Sequence, residues 1–106
     1  MSPEQAASAA SLARLREEAK LDRVAMERRL HDLDEAESRL QRTPGDPAAL
    51  ALAAWALHGW YTALETLLER IARQIDCAVP EGDRWHRELL SQMVTEVPGL
   101  RPAVVP

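Results

Sequence analysis

The sequence predicts an all-α protein, a helical bundle with two long antiparallel helices and a shorter third. Three observations carry that prediction. Alanine and leucine supply most of an apolar content of 46% in 106 residues, and β-branched residues are scarce before Val94, which favours helices over strands. Apolar residues recur at intervals of three and four along two long segments, the period of a helix with one buried face. Strong breakers interrupt them at Thr43–Pro47 and again between Asp76 and Gly82. The length suits one small domain over residues 1–106. Its helices are expected at about 3–40, 47–76 and 84–95, with an extended tail over 97–106.

The first helix opens with Ser2 as cap and Pro3 at the first helical position. Its stripe passes through Leu12, Leu15, Ala19, Met26, Leu33, Ala36 and Leu40, with Asp22 and Arg29 breaking the seven-residue spacing. The remaining positions are dense in Glu, Asp and Arg, as in an antiparallel hairpin or a dimer seam. The run Arg16–Lys20 reads as a solvated face. Thr43-Pro44-Gly45-Asp46-Pro47 then ends this helix, and Asp46 reads as the cap of the next. A connection this short makes the two helices antiparallel neighbours.

The second helix has two adjoining stripes. Leu50, Ala54, Leu57, Tyr61, Leu64, Leu68, Ile71 and Ile75 form the main one, and Ala53, Ala56, Trp60, Ala63 and Leu67 the other. Two stripes imply contact with more than one neighbour. Tyr61 is expected in the core or an interface, its hydroxyl reaching a polar partner. Gly59 is tolerable mid-helix at a cost of about 1 kcal/mol and would let a partner approach closely. Asp83 is the better cap for the third helix, which carries Trp85, Leu89, Leu90, Met93 and Val94 and ends before Pro98. Three helices of such unequal length leave the central one under-covered. A fourth is therefore expected, supplied by dimerisation or by polypeptide beyond Pro106.

The net charge of −4 gives no general argument for nucleic-acid binding, though a local basic patch remains open. Arginine carries twelve of the thirteen positive charges and Lys20 the other, a surface of planar donors suited to carboxylates or phosphates. Cys77 is the one cysteine, so no disulfide framework or cysteine metal cluster is expected. The N-terminus lacks a signal-peptide pattern and no apolar run is long enough to span a bilayer, which points to a cytoplasmic protein without membrane contact. No residue spacing suggests a metal site, and no glycine-rich phosphate loop or serine elbow occurs. No cofactor is expected.

The candidate chemistry lies around Gly82–Leu90. His86 follows Trp85 at a helix start and faces inward or along a groove edge. It reads either as a boundary histidine bonded to a carboxylate or carbonyl, or as a proton-transfer or phosphate-contacting group. Trp85 reads as a packing anchor. Glu65, beside the apolar stripes, reads as solvated or paired with an arginine. Arg84 and Arg87 flank His86, and Arg70 and Arg73 fall near the same end of a hairpin. Together they would form a basic patch for a phosphodiester backbone or an acidic partner, or simply a solvated surface.

A resemblance adds to this reading. Leu57, Tyr61, Leu64-Glu65, Leu68, Arg70-Ile71-Ala72, Asp76, Pro80 and Gly82 begin it. Trp85–Leu90, Met93 and the tail Pro98–Val104 complete it. Over roughly Leu50 to Val104 this pattern resembles the HepT-like branch of the HEPN proteins. The tryptophan–histidine segment and the arginine–proline tail are its most specific parts. These proteins are small, all-helical and usually dimeric. Many are ribonuclease toxins of prokaryotic toxin–antitoxin pairs, encoded beside a minimal nucleotidyltransferase antitoxin.

The resemblance implies an incomplete HEPN-like four-helix bundle and, in full-length form, a metal-independent endoribonuclease. RNA, a second copy of the chain and a nucleotidyltransferase-type antitoxin are the implied partners. The family's catalytic signature, an arginine followed after four to six residues by a histidine, is met by none of His31, His58 and His86. In the relatives it lies on a helix beyond the arginine–proline tail, so the missing fourth helix and the missing motif are expected to be one element beyond Pro106. His86, Arg84, Arg87 and Glu65 are then the candidate site residues, in a supporting role. The rival expectation is a non-catalytic helical interaction module or antitoxin-like subunit.

Overall fold

The computed structural model describes residues 1–106. It is all-α, with two long helices and one short. Helix α1 spans Pro3–Arg42, α2 spans Pro47–Ile71 and α3 spans Trp85–Met93, and a π-helical turn, Ala72–Asp76, follows α2 directly. No strand forms, and the one β-type pairing is an isolated bridge between Val97 and Arg101. The residues gather into two compact units, Lys20–Leu64 and Met1–Ala19 with Glu65–Pro106.

The unit Lys20–Leu64 is an antiparallel helical hairpin. Gly45 takes φ 79° in its turn, a conformation that costs glycine little. Asp46 Oδ1 accepts the Ala48 N–H at 3.0 Å and caps α2. Ala36, Ala49 and Ala56 are fully buried, so the two helices meet through small side chains. The stem of Arg29 lies over Gly59, where an added Cβ would stand 2.8 Å from its Cδ. Its guanidinium covers the Trp55 ring at 4.1 Å from the centroid.

Within the hairpin the second of the two α2 stripes is the one that packs, and the main stripe is left open there. Ala49, Ala56, Gly59 and Trp60 are buried or half-buried, whereas Leu50, Leu57 and Tyr61 are 51%, 55% and 39% exposed. The physical reason is size. Alanine and glycine admit the neighbouring backbone closely, so they take the contact, and the larger leucines and Tyr61 turn outward. Pro47–Leu64 contains no Asp, Glu, Lys or Arg, so the outward face is uncharged as well as apolar.

The second unit begins with a reciprocal cap. Ser2 Oγ accepts the Gln5 N–H at 3.1 Å and the Ser2 N–H donates to Gln5 Oε1 at 2.8 Å. Its core comprises Leu15, Leu68, Ala72, Leu89 and Met93. Glu18 and Arg70 pair at 2.6 Å and tie the start of α1 to the end of α2. α2 gives way at Ala72 to the π-helical turn, which closes at Cys77 in the left-handed region with φ 56°. The N–H groups of Cys77 and Ala78 both reach the Ala72 carbonyl.

Helix α3 starts one residue later than expected, at Trp85, and no side chain caps it. Asp83 does not serve as cap. Gly82, at φ 91°, instead accepts the Trp85 N–H at 3.3 Å. Beyond α3 the tail folds back, and the Val104 and Val105 N–H groups donate to the Met93 carbonyl at 2.8 and 3.2 Å. No helix is long and apolar enough to cross a membrane.

Candidate functional site

The first turn of α3 carries the candidate chemistry. Leu89 and Met93, one and two turns along, are 1% and 0% exposed. They fix one face of the helix inward and bring His86 to its edge. There His86 Nδ1 meets a carboxylate oxygen of Glu65 on α2. The Glu65 side chain is 17% exposed and that of His86 49%, so the carboxylate sits inside and the ring looks outward. A ring nitrogen facing a carboxylate carries the proton. Nε2 is then the outward nitrogen, an acceptor when the ring is neutral and a donor to an anion when both nitrogens carry protons. Trp85 lies against the imidazole, with ring centroids 3.6 Å apart and planes 31° from parallel.

Asp83, Arg84, His86 and Arg87 line a shallow cleft of about 300 Å³. The four candidate residues divide into two pairs. Glu65 and His86 are in direct contact, while Arg84 and Arg87 flank the ring without a fixed ion-pair partner of their own. Glu65 thus pairs with the histidine rather than with an arginine. Arg70, expected near the same patch, is paired with Glu18; Arg84 and Arg87 are the arginines that line the cleft with His86. No group of three His, Cys, Asp or Glu side chains is placed to hold a metal ion.

A second polar cluster was not foreseen as such. Arg101, 8% exposed, places Nε and Nη2 on the two carboxylate oxygens of Asp76, each at 2.6 Å. Its Nη1 donates to the carbonyls of Thr95 and Pro102, both at 2.9 Å, and Nη2 also reaches the Gln92 carbonyl at 3.2 Å. Gln92 Nε2 donates to Asp76 Oδ2 at 2.6 Å and to the Ala78 carbonyl at 2.9 Å. The hydrogen bonds from Arg101 hold the Asp76 carboxyl below its ordinary value; burial opposes them and the bond from Gln92 assists. Asp76 in turn raises Arg101 above the ordinary arginine value. The sequence signal was faint, an aspartate and an arginine twenty-five residues apart within segments noted only for resemblance.

With this geometry in place, comparison with known families is decisive. A family model described as HepT-like protein matches residues 51–106. The chain belongs to the HepT-like family. The match takes in most of α2, the π-helical turn, α3 and the tail, so the Glu65–His86 contact and the Asp76–Arg101 pair both lie inside it. No curated protein and no solved structure matches this HepT-like chain.

Proposed function

We propose that this HepT-like chain is the toxin component of a prokaryotic toxin–antitoxin pair and, in full-length form, a metal-independent endoribonuclease. The first turn of α3 forms an RNA-contacting edge in support of the chemistry. Cleavage of RNA without a metal needs a base for the 2′-hydroxyl, an acid for the leaving oxygen and cations for the charge on the phosphorane. The observation that carries the reading is the contact between Glu65 and His86 Nδ1. A carboxylate on one imidazole nitrogen fixes the ring and presents the other for proton transfer or phosphate contact. Arg84 and Arg87 supply the flanking positive charge.

A fluorescein-labelled single-stranded RNA titrated into the chain tests this. Binding is expected to weaken with salt. The double substitution Arg84→Gln and Arg87→Gln is expected to lower the salt slope by about 1.4, the value for two lost single-strand phosphate contacts. In the full-length protein His86→Ala is expected to slow cleavage. An unchanged salt slope together with unchanged cleavage by His86→Ala would remove these residues from the site.

A second reading, a non-catalytic interaction module, is favoured by the uncharged outward face of α2. Leu50, Leu57 and Tyr61 form an apolar stripe suited to a second copy of the chain or to an antitoxin partner. Under this reading Leu57→Glu lowers the sedimentation coefficient at micromolar concentration and leaves RNA binding unchanged. A wild-type chain that sediments as a monomer and gains no mass with its antitoxin would count against it.

A further inference from the structure

Helix α3 has nine residues, too few to hold a helical shape on its own propensity. Its N-terminus has no side-chain cap. What orients it must come from its buried face and its ends. Leu89 and Met93 anchor it by apolar contact, which resists separation but, being non-directional, allows a short helix to rock. Directional contacts lie at the two ends. At one end is the Glu65–His86 contact. At the other, Gln92 binds Asp76 and Ala78, while Arg101 joins Asp76 to the carbonyls of Gln92 and Thr95. His86 and Gln92 are six residues apart on the helix, about 9 Å at 1.5 Å per residue. A rotation at one end is therefore transmitted to the other.

We infer that Arg101 is a positioning residue for His86. Clamped on Asp76, it fixes the C-terminal end of α3 through the carbonyls of Gln92 and Thr95, and so sets where His86 meets Glu65. Two features make the guanidinium suited to this work. Its planar fork matches the aspartate with two parallel bonds, and its remaining N–H groups reach the Gln92 carbonyl in the last turn of α3 and the Thr95 and Pro102 carbonyls just beyond it. A lysine could keep the charge pair but could not span the carboxylate and the Gln92 and Thr95 carbonyls from one rigid plane. Asp76, at the end of the π-helical turn, is the fixed point against which α3 is set. Arg101 matters to function only through the His86 reading given above, but its effect on the position of His86 does not depend on RNA.

The test is a two-dimensional NMR measurement of the cross-peak between the His86 ring protons and the Glu65 γ-methylene protons. Wild-type chain is expected to show it. Arg101→Lys is expected to lose it while remaining folded, with the indole signals of Trp55 and Trp60 unmoved. A folded Arg101→Lys chain with the cross-peak at wild-type intensity overturns the inference. Should Arg101→Lys not fold, Asp76→Asn serves instead. It keeps the shape of the side chain but removes the carboxylate on which Arg101 is clamped, so the cross-peak should weaken, and unchanged intensity in the folded variant overturns the inference equally. RNA titration of the same samples is scored apart. A wild-type chain that shows the cross-peak but binds no RNA defeats the RNA reading and leaves the positioning result standing.

Discussion

Arg101→Met is the substitution whose cost should be largest for its change in size. It keeps the length and the apolar stem of the side chain and deletes the charge and five polar contacts. Asp76 would remain as a carboxylate whose side chain is 6% exposed, with Gln92 as its remaining side-chain donor. Removing one member of a buried ion pair costs about 3–5 kcal/mol, because the other is left without its counter-charge. The whole unfolding free energy of a chain this size is about 5–15 kcal/mol. The variant should therefore lose about a fifth of its stability or more. Urea denaturation followed by far-UV circular dichroism would measure the loss. A decrease below about 1 kcal/mol, the value of an exposed pair, would refute the reasoning. Adding Asp76→Asn to Arg101→Met removes the stranded charge and should restore part of the loss, a non-additivity of about 0.5–3 kcal/mol.

The same pair fixes a pH dependence. Asp76 is held below its ordinary value in the folded chain, so the folded state binds fewer protons there than the unfolded state. Its stabilising contribution is complete above the unfolded carboxylate range and is lost as pH falls through that range toward the lower folded value. Asp76→Asn should therefore flatten the acid limb of a stability–pH curve, and an identical acid limb would count against it. Asp46→Ala removes the acceptor for the Ala48 N–H and should cost about 1 kcal/mol in urea denaturation. Leu89→Ala, at a site 1% exposed, should cost about 2–5 kcal/mol; a loss under 1 kcal/mol would mean α3 is not part of the core. Gly59→Ala gains about 1 kcal/mol of helix propensity but drives Arg29 off the Trp55 ring, forfeiting about 0.5–1 kcal/mol. Stability should stay within about 1 kcal/mol of wild type while the tryptophan emission shifts.

The helices themselves were legible because their signals are local. Ser2 with Pro3 and Asp46 with Pro47 mark the starts of α1 and α2 within a few residues of sequence. The choice between the two stripes of α2 was not legible. Both have helical spacing, and only the fit of Ala49, Ala56 and Gly59 against α1 decides which is covered. The candidate site was readable as a list of residue types but not as contacts. Glu65 meets His86 across twenty-one positions, and no local rule links those two residues rather than Glu65 and an arginine. Arg101 was harder still, since a charged residue in a proline-broken tail ordinarily reads as solvated, and its burial depends on Asp76 being turned toward it by a π-helical turn that the pattern of Ile71 and Ile75 conceals.

That turn makes the chain sensitive to length in one short interval. A π-helical turn accommodates a residue more than an α-helical turn over the same span. Arg73, on its surface, could be replaced with little effect, and deleting it would remove the extra residue and let the α-helix run on with Asp76 close to its present direction. A residue added beyond the one the turn absorbs would instead swing Asp76 by roughly 100° about the axis, the rotation of one α-helical residue, and its carboxylate would leave Arg101. Between Leu68 and Asp76 the chain is thus more tightly constrained against lengthening than in the identity of its exposed residues. A family of shortened and lengthened variants there should tolerate substitution and a single-residue deletion and reject a single-residue insertion.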